Sequence, residues 1–156
     1  MAGIGNVFLG DDGFGVEVAG RLARRPQPEG VVVGDFGIRG LDLAYALMDG
    51  YDAAILVDAL PRGEAAGTVY VMEPDLDQLD GPALIESHAM NPVEVLRLVK
   101  QMGGSAPKVY VVGCEPGAAA PDEGFMGLSE PVEAAVDQAV TTVEQLAEKL
   151  MTVEVS

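Results

Sequence analysis

The chain alternates short apolar runs with stretches in which apolar residues recur every three or four positions. The first kind predicts β-strands and the second amphipathic helices. Met1 to Gly5 is a strand stub. Val16, Ala19, Leu22 and Ala23 fall at helical spacing, which predicts a helix over about 13–25 with Pro26 as its stop. VVVGD (31–35) is a strand, and LDLAYALM (41–48) a helix with Gly50 after it. AAILVD (53–58) is a buried strand. GTVYVME (67–73) is another, approached through a turn-rich stretch from Pro61 to Gly67. NPVEVLRLVKQMGG begins a helix near Pro92 and ends it at glycines. KVYVVGC (108–114) is the last strand. Ser129 can cap a final helix to about Met151, with Val132, Val136, Val140, Val143, Leu146 and Leu150 as its apolar stripe.

This order predicts an α/β fold, a three-layer α/β/α sandwich around a mainly parallel sheet. The strand at 67–73 follows its predecessor too closely for a helical crossover, so it is expected to be antiparallel or at an edge. The stretch from Gly113 to Leu128 reads as a long loop, of a length often used for function. At 156 residues the chain, 1–156, is expected to form a single domain with a substantial core.

Charge narrows the function classes. Nine basic residues against 25 acidic ones give a formal net charge of −16. Such a balance argues against nucleic acid and anionic membrane surfaces, which require Lys and Arg. A basic protein partner would be steered in, although solubility explains the same charge. No apolar run approaches the roughly 18 residues of a membrane span, and no basic-then-apolar leader opens the chain. A single Cys suits a reducing compartment, so the expected location is cytoplasmic.

Open α/β sheets bind ligands beyond the carboxyl ends of their strands. Asp11 and Asp12 follow the first strand and Asp58 closes the third, which places all three on one rim. His88, the sole histidine, lies in IESHAMNP, where a loop could bring it over. Two carboxylates and an imidazole there would suit a divalent transition metal with open positions for substrate or water. Each residue also has a plainer role. Asp11 or Asp12 can cap the first helix, one capping while the other faces the site. Asp58 can be a turn residue, and a lone histidine is more often structural than a ligand. Asp35 ends a strand on the same rim and can hydrogen-bond the following loop. Cys114 has no His partner, which makes it a poor nucleophile.

Three familiar patterns fail. In GIGNVF, Phe8 stands where a dinucleotide fingerprint requires its third glycine, and no P-loop lysine is present. A phospho-accepting receiver domain matches Asp11, Asp12 and Asp58, but Lys108 begins its strand instead of ending it.

The ordered segments GIGNVFLGDDGFGVEVAGRL, DFGIRGLDLAYAL, AAILVDAL, GTVYVME, SHAMNPVEVLRL and VYVVGCEP resemble the hydrogenase maturation endopeptidases over nearly the whole chain. The resemblance implies a phosphorylase/hydrolase-like sandwich. It implies an endopeptidase that removes the C-terminal extension of a [NiFe] hydrogenase large-subunit precursor after nickel insertion. It also implies three metal-contacting residues, which map to Asp12, Asp58 and His88. Asp12 is one methylene shorter than the Glu often found there, and Asp11 matches the acid before it. Nickel would then be carried by the substrate, where it could position the C-terminal segment and polarise the scissile carbonyl, with water as nucleophile. A non-catalytic, metal-dependent binding or chaperone protein on the same fold is the alternative from another class, and the receiver-like phospho-acceptor module a third. Only Met1 to Ile4 precede Gly5, so the first strand, expected to be central, reads as truncated against the usual five or six residues.

Overall fold

A computed structural model describes residues 1–6, 10–75, 91–117 and 127–154, and among these the chain forms five strands and four α-helices. The strands are β1 (Ala2–Ile4), β2 (Gly34–Gly37), β3 (Ala53–Ala59), β4 (Val69–Met72) and β5 (Lys108–Cys114). The helices are α1 (Phe14–Ala23), α2 (Gly40–Leu47), α3 (Pro92–Gln101) and α4 (Glu130–Glu154). Spatial order in the sheet is β2-β1-β3-β5-β4. All neighbours are parallel except β4, which pairs antiparallel with β5 at the edge. The reason is the one read from the sequence: residues 60–68 are too few to carry a helix across the sheet.

β3 and β5 pair along their whole length, from Ala53 opposite Lys108 to Ala59 opposite Cys114. Both are covered on two faces, and their near-continuous apolar runs reflect that. One layer packs α1 and α4 on Ile55, Val57 and Val112, with Val132, Val136, Val140 and Val143 from the predicted α4 stripe. The opposite layer packs α2 and α3 on Ile4, Leu56, Val109 and Val111. The three-layer sandwich is therefore present. α3 begins at a side-chain cap, where the Asn91 side chain accepts from the Glu94 N–H at 3.1 Å and Pro92 follows in the first turn.

Two expectations about the first strands change. β2 covers Gly34–Gly37, not 31–35. Its ladder begins where β1 begins: Ala2 lies opposite Gly34, and the Gly34 N–H donates to the Met1 carbonyl at 2.9 Å. Val31 to Val33 lie upstream of that pairing, and Val32 is 56% exposed. β1 is interior, flanked by β2 and β3, but the middle position belongs to β3.

The chain places β2 on one side of β1 and β3 on the other. Winding in opposite senses from β1 leaves a crevice between the carboxyl ends of β1 and β3, where such folds bind ligands.

Candidate active site

The crevice receives one acid from each side. Asp12 belongs to a 3-10 turn, Gly10–Gly13, that links β1 to α1. The turn folds back hard on the strand end. Gly5 has φ +141°, and a Cβ there would lie 1.7 Å from the Asp12 carbonyl oxygen. α1 then packs directly against the sheet, since a Cβ on Gly15 would lie 2.1 Å from the Val57 carbonyl oxygen and 2.4 Å from that of Ile4. Gly5 and Gly15 thus permit close backbone approach. The Asn6 N–H donates to Asp12 Oδ2 at 2.8 Å.

Asp58 stands near the end of β3 and is 1% exposed. Alternation along the strand puts it on the face of Leu56. Its Oδ1 accepts from the Ala59 N–H at 2.8 Å. Burial, and secondarily the Asp12 charge, raise its pKa well above the usual carboxylate range, against the opposing Ala59 hydrogen bond. Burial likewise raises Asp12, against the Asn6 N–H. Two carboxyls thus share a desolvated crevice, and among the described residues neither forms an ion pair with Lys, Arg or the N-terminus. Such a pair holds protons tightly and would welcome a dication. His88, the third expected ligand, lies outside the described residues.

Asp11 does something the sequence did not reveal. Neither Asp11 nor Asp12 caps α1, whose N-cap position is Gly13 and has no side-chain cap. The Asp11 carboxylate instead accepts from the Gly117 N–H at 2.8 Å, the Ser129 N–H at 2.6 Å and the Ser129 hydroxyl at 2.8 Å. It therefore joins the turn carrying Asp12 to the end of the β5 segment and to the start of α4. Ser129 precedes α4 as expected, but its hydroxyl goes to Asp11.

Other candidates fall away. Asp35 is the second residue of β2, exposed, with its carbonyl accepting from the Arg39 guanidinium. Cys114 is fully buried, and burial with the Asp11 and Glu115 charges pushes its thiol up to about 11, so it is no nucleophile at neutral pH. Lys108 opens β5 at the far rim and pairs with Glu73 at 3.7 Å, which removes the receiver-type reading.

A second row at this rim went unrecognised in the sequence. Asp58, Gly113 and Tyr70 align across β3, β5 and β4. The Tyr70 ring covers Gly113, where a Cβ would lie 2.4 Å from a ring carbon, and its hydroxyl donates to the Leu60 carbonyl at 2.7 Å. Burial, with the Glu115 and Asp58 charges added and Arg62 opposing, pushes the phenol up to about 12. Gly113 and Tyr70 carry no signal in the sequence, because their alignment with Asp58 exists only once the strands are ordered.

Residues 16–146 match the hydrogenase maturation protease family (HycI). A Methanocaldococcus jannaschii protein assigned to the hydrogenase maturation proteases is 33% identical over 147 residues, covering 92% of each chain. The hydrogenase 2 maturation protease of Escherichia coli is 29% identical, covering 92% of this chain and 86% of its own. The solved structure of the E. coli hydrogenase maturating endopeptidase HybD superposes with TM-score 0.77 at 26% identity, covering 95% of this chain and 90% of that one. With the family match spanning most of its length and the same fold beneath it, the chain belongs to the hydrogenase maturation proteases and is an endopeptidase of hydrogenase maturation.

Proposed function

We propose that this endopeptidase removes the C-terminal extension of a [NiFe] hydrogenase large-subunit precursor in the cytoplasm, once nickel has been inserted, and that the nickel belongs to the substrate. The observation that carries the reading is the Asp12–Asp58 pair: two desolvated carboxyls with raised proton affinity and no cation partner among the described residues. Oxygen donors of this kind fit a divalent metal. His88, outside the described residues, completes the set by resemblance. Nickel delivered in the precursor supplies the positive charge that the pair lacks and fixes the scissile segment beside it.

The chain's own groups then handle protons. Hydrolysis adds water across the peptide C–N bond: the water oxygen joins the carbonyl carbon, and the released amine gains a proton. A carboxylate in the crevice can accept the water proton, and a protonated carboxyl can give one to the amine. Burial, which raises the proton affinity of both carboxyls, favours such proton holding. Cys114 takes no part.

The deciding experiment is mass spectrometry of a large-subunit precursor from the same cell, incubated with this protein with and without bound nickel. Loss of a C-terminal peptide from the nickel-loaded sample alone is the expected result. Equal cleavage of the nickel-free precursor would remove the metal from the recognition step. Normal cleavage by Asp12→Asn or Asp58→Asn would remove the carboxylate pair from the chemistry.

A further inference from the structure

Beside the carboxylate pair, the same rim carries a prepared cation. Glu115 follows β5 and is buried, 7% exposed. Its carboxylate meets no side-chain cation among the described residues. It accepts instead from the main-chain N–H of Arg62 at 2.6 Å and, at 3.3 Å, from that of Gly63. The segment is held at two further points, since Leu60 N–H donates to the Cys114 carbonyl at 3.0 Å and Gly67 N–H to the Glu115 carbonyl at 2.8 Å. The Arg62 side chain leaves this fixed backbone and lies with its guanidinium 4.5 Å from the Tyr70 ring centroid. Tyr70 is itself fixed by its hydrogen bond to Leu60 and stands in the row that contains Asp58.

The chain has 25 acidic residues for nine basic ones. Arg21, Arg25, Arg39, Arg97 and Lys108 each reach a carboxylate within 4.0 Å. Among the described residues, no carboxylate stands within that distance of Arg24, Arg62 or Lys149, and of these three only Arg62 lies over an aromatic ring. The guanidinium lies over the ring on an exposed residue. A planar fork of donors matches a carboxylate in two-point geometry.

We infer that Arg62, stacked on Tyr70 and anchored through Glu115, is a specificity residue that binds a carboxylate of the substrate polypeptide next to the scissile bond. The inference rests on the proteolytic reading above and extends it by naming a recognition element. Arg62 takes no part in bond making or breaking. It sets which precursor docks in register with Asp12 and Asp58. It also gives an acidic enzyme a local attraction for an acidic group, where the global charge would repel it.

The test compares wild type, Arg62→Gln and Arg62→Lys with the nickel-loaded precursor, reading kcat and KM by mass spectrometry and Kd by calorimetry. Arg62 is exposed, and its main-chain bond to Glu115 survives any side-chain change, so the variants should fold; equal melting temperatures check this. Arg62→Gln is expected to raise KM and Kd about tenfold with kcat nearly unchanged, the loss of one charge-assisted contact. Arg62→Lys should fall between the two. Converting acidic residues of the precursor to amides one at a time should identify one whose loss weakens wild type equally but leaves Arg62→Gln unaffected. Unchanged KM and Kd in Arg62→Gln would overturn the inference, as would strict additivity with every precursor change. A wild type that binds the precursor without cutting it would defeat the proteolytic reading alone, because Kd still decides the role of Arg62. A wild type that neither binds nor cuts would defeat both.

Discussion

Asp58→Asn should make this protein more stable at neutral pH. An unfolded Asp ionises near about pH 3.9. In the fold, burial and the neighbouring Asp12 hold the Asp58 proton to much higher pH. Below the unfolded value both states are protonated and burial carries no charge penalty. Between the two values only the unfolded chain releases its proton, so stability falls as pH rises. Above the folded value the whole penalty remains, at about 1.4 kcal/mol for each unit of upward displacement. Asn is neutral throughout and nearly isosteric. Its Oδ1 can keep the Ala59 N–H bond, and its amide can donate towards Asp12. For a chain of this size, 1 kcal/mol moves the melting temperature by about 2–4 °C. Thermal melts of both proteins from about pH 4 to about pH 8 should show the variant melting higher, with a gap that widens as pH rises. Cleavage should be lost in the same variant, the signature of a site held against its own stability. A variant that melts below wild type at neutral pH, or a gap independent of pH, would refute the reasoning.

Gly15→Ala drives a methyl into the Val57 and Ile4 carbonyls. It should destabilise by about 2 kcal/mol or more, seen as a lower denaturant midpoint, because α1 must move off the sheet. Asp11→Ala removes three acceptor contacts and leaves the Gly117 and Ser129 donors short of a partner. It should cost about 1–3 kcal/mol and raise hydrogen exchange at both amides, whereas Asp35→Ala should change neither.

The sequence alone determined the elements and the layers. Strands such as β3 and β5 are legible because a strand buried on both faces must be apolar throughout, and α4 because one face of it must be. The antiparallel β4 followed from connection length, and the placement of Asp12 and Asp58 on one rim from the rule that ligands meet strand carboxyl ends. Local information stops there. β2 shifted by several residues because a strand exists only where its neighbour pairs with it, and β1 begins at Ala2. Asp11 was read as a cap for the next helix. Its carboxylate in fact meets Gly117 and Ser129, residues 106 and 118 positions away, which no window along the chain can show. The Asp58–Gly113–Tyr70 row and the Arg62 guanidinium above it likewise arise from strand order. The sequence supplied the charges. Tertiary structure decided which were buried together and which were set over a ring at the site's rim.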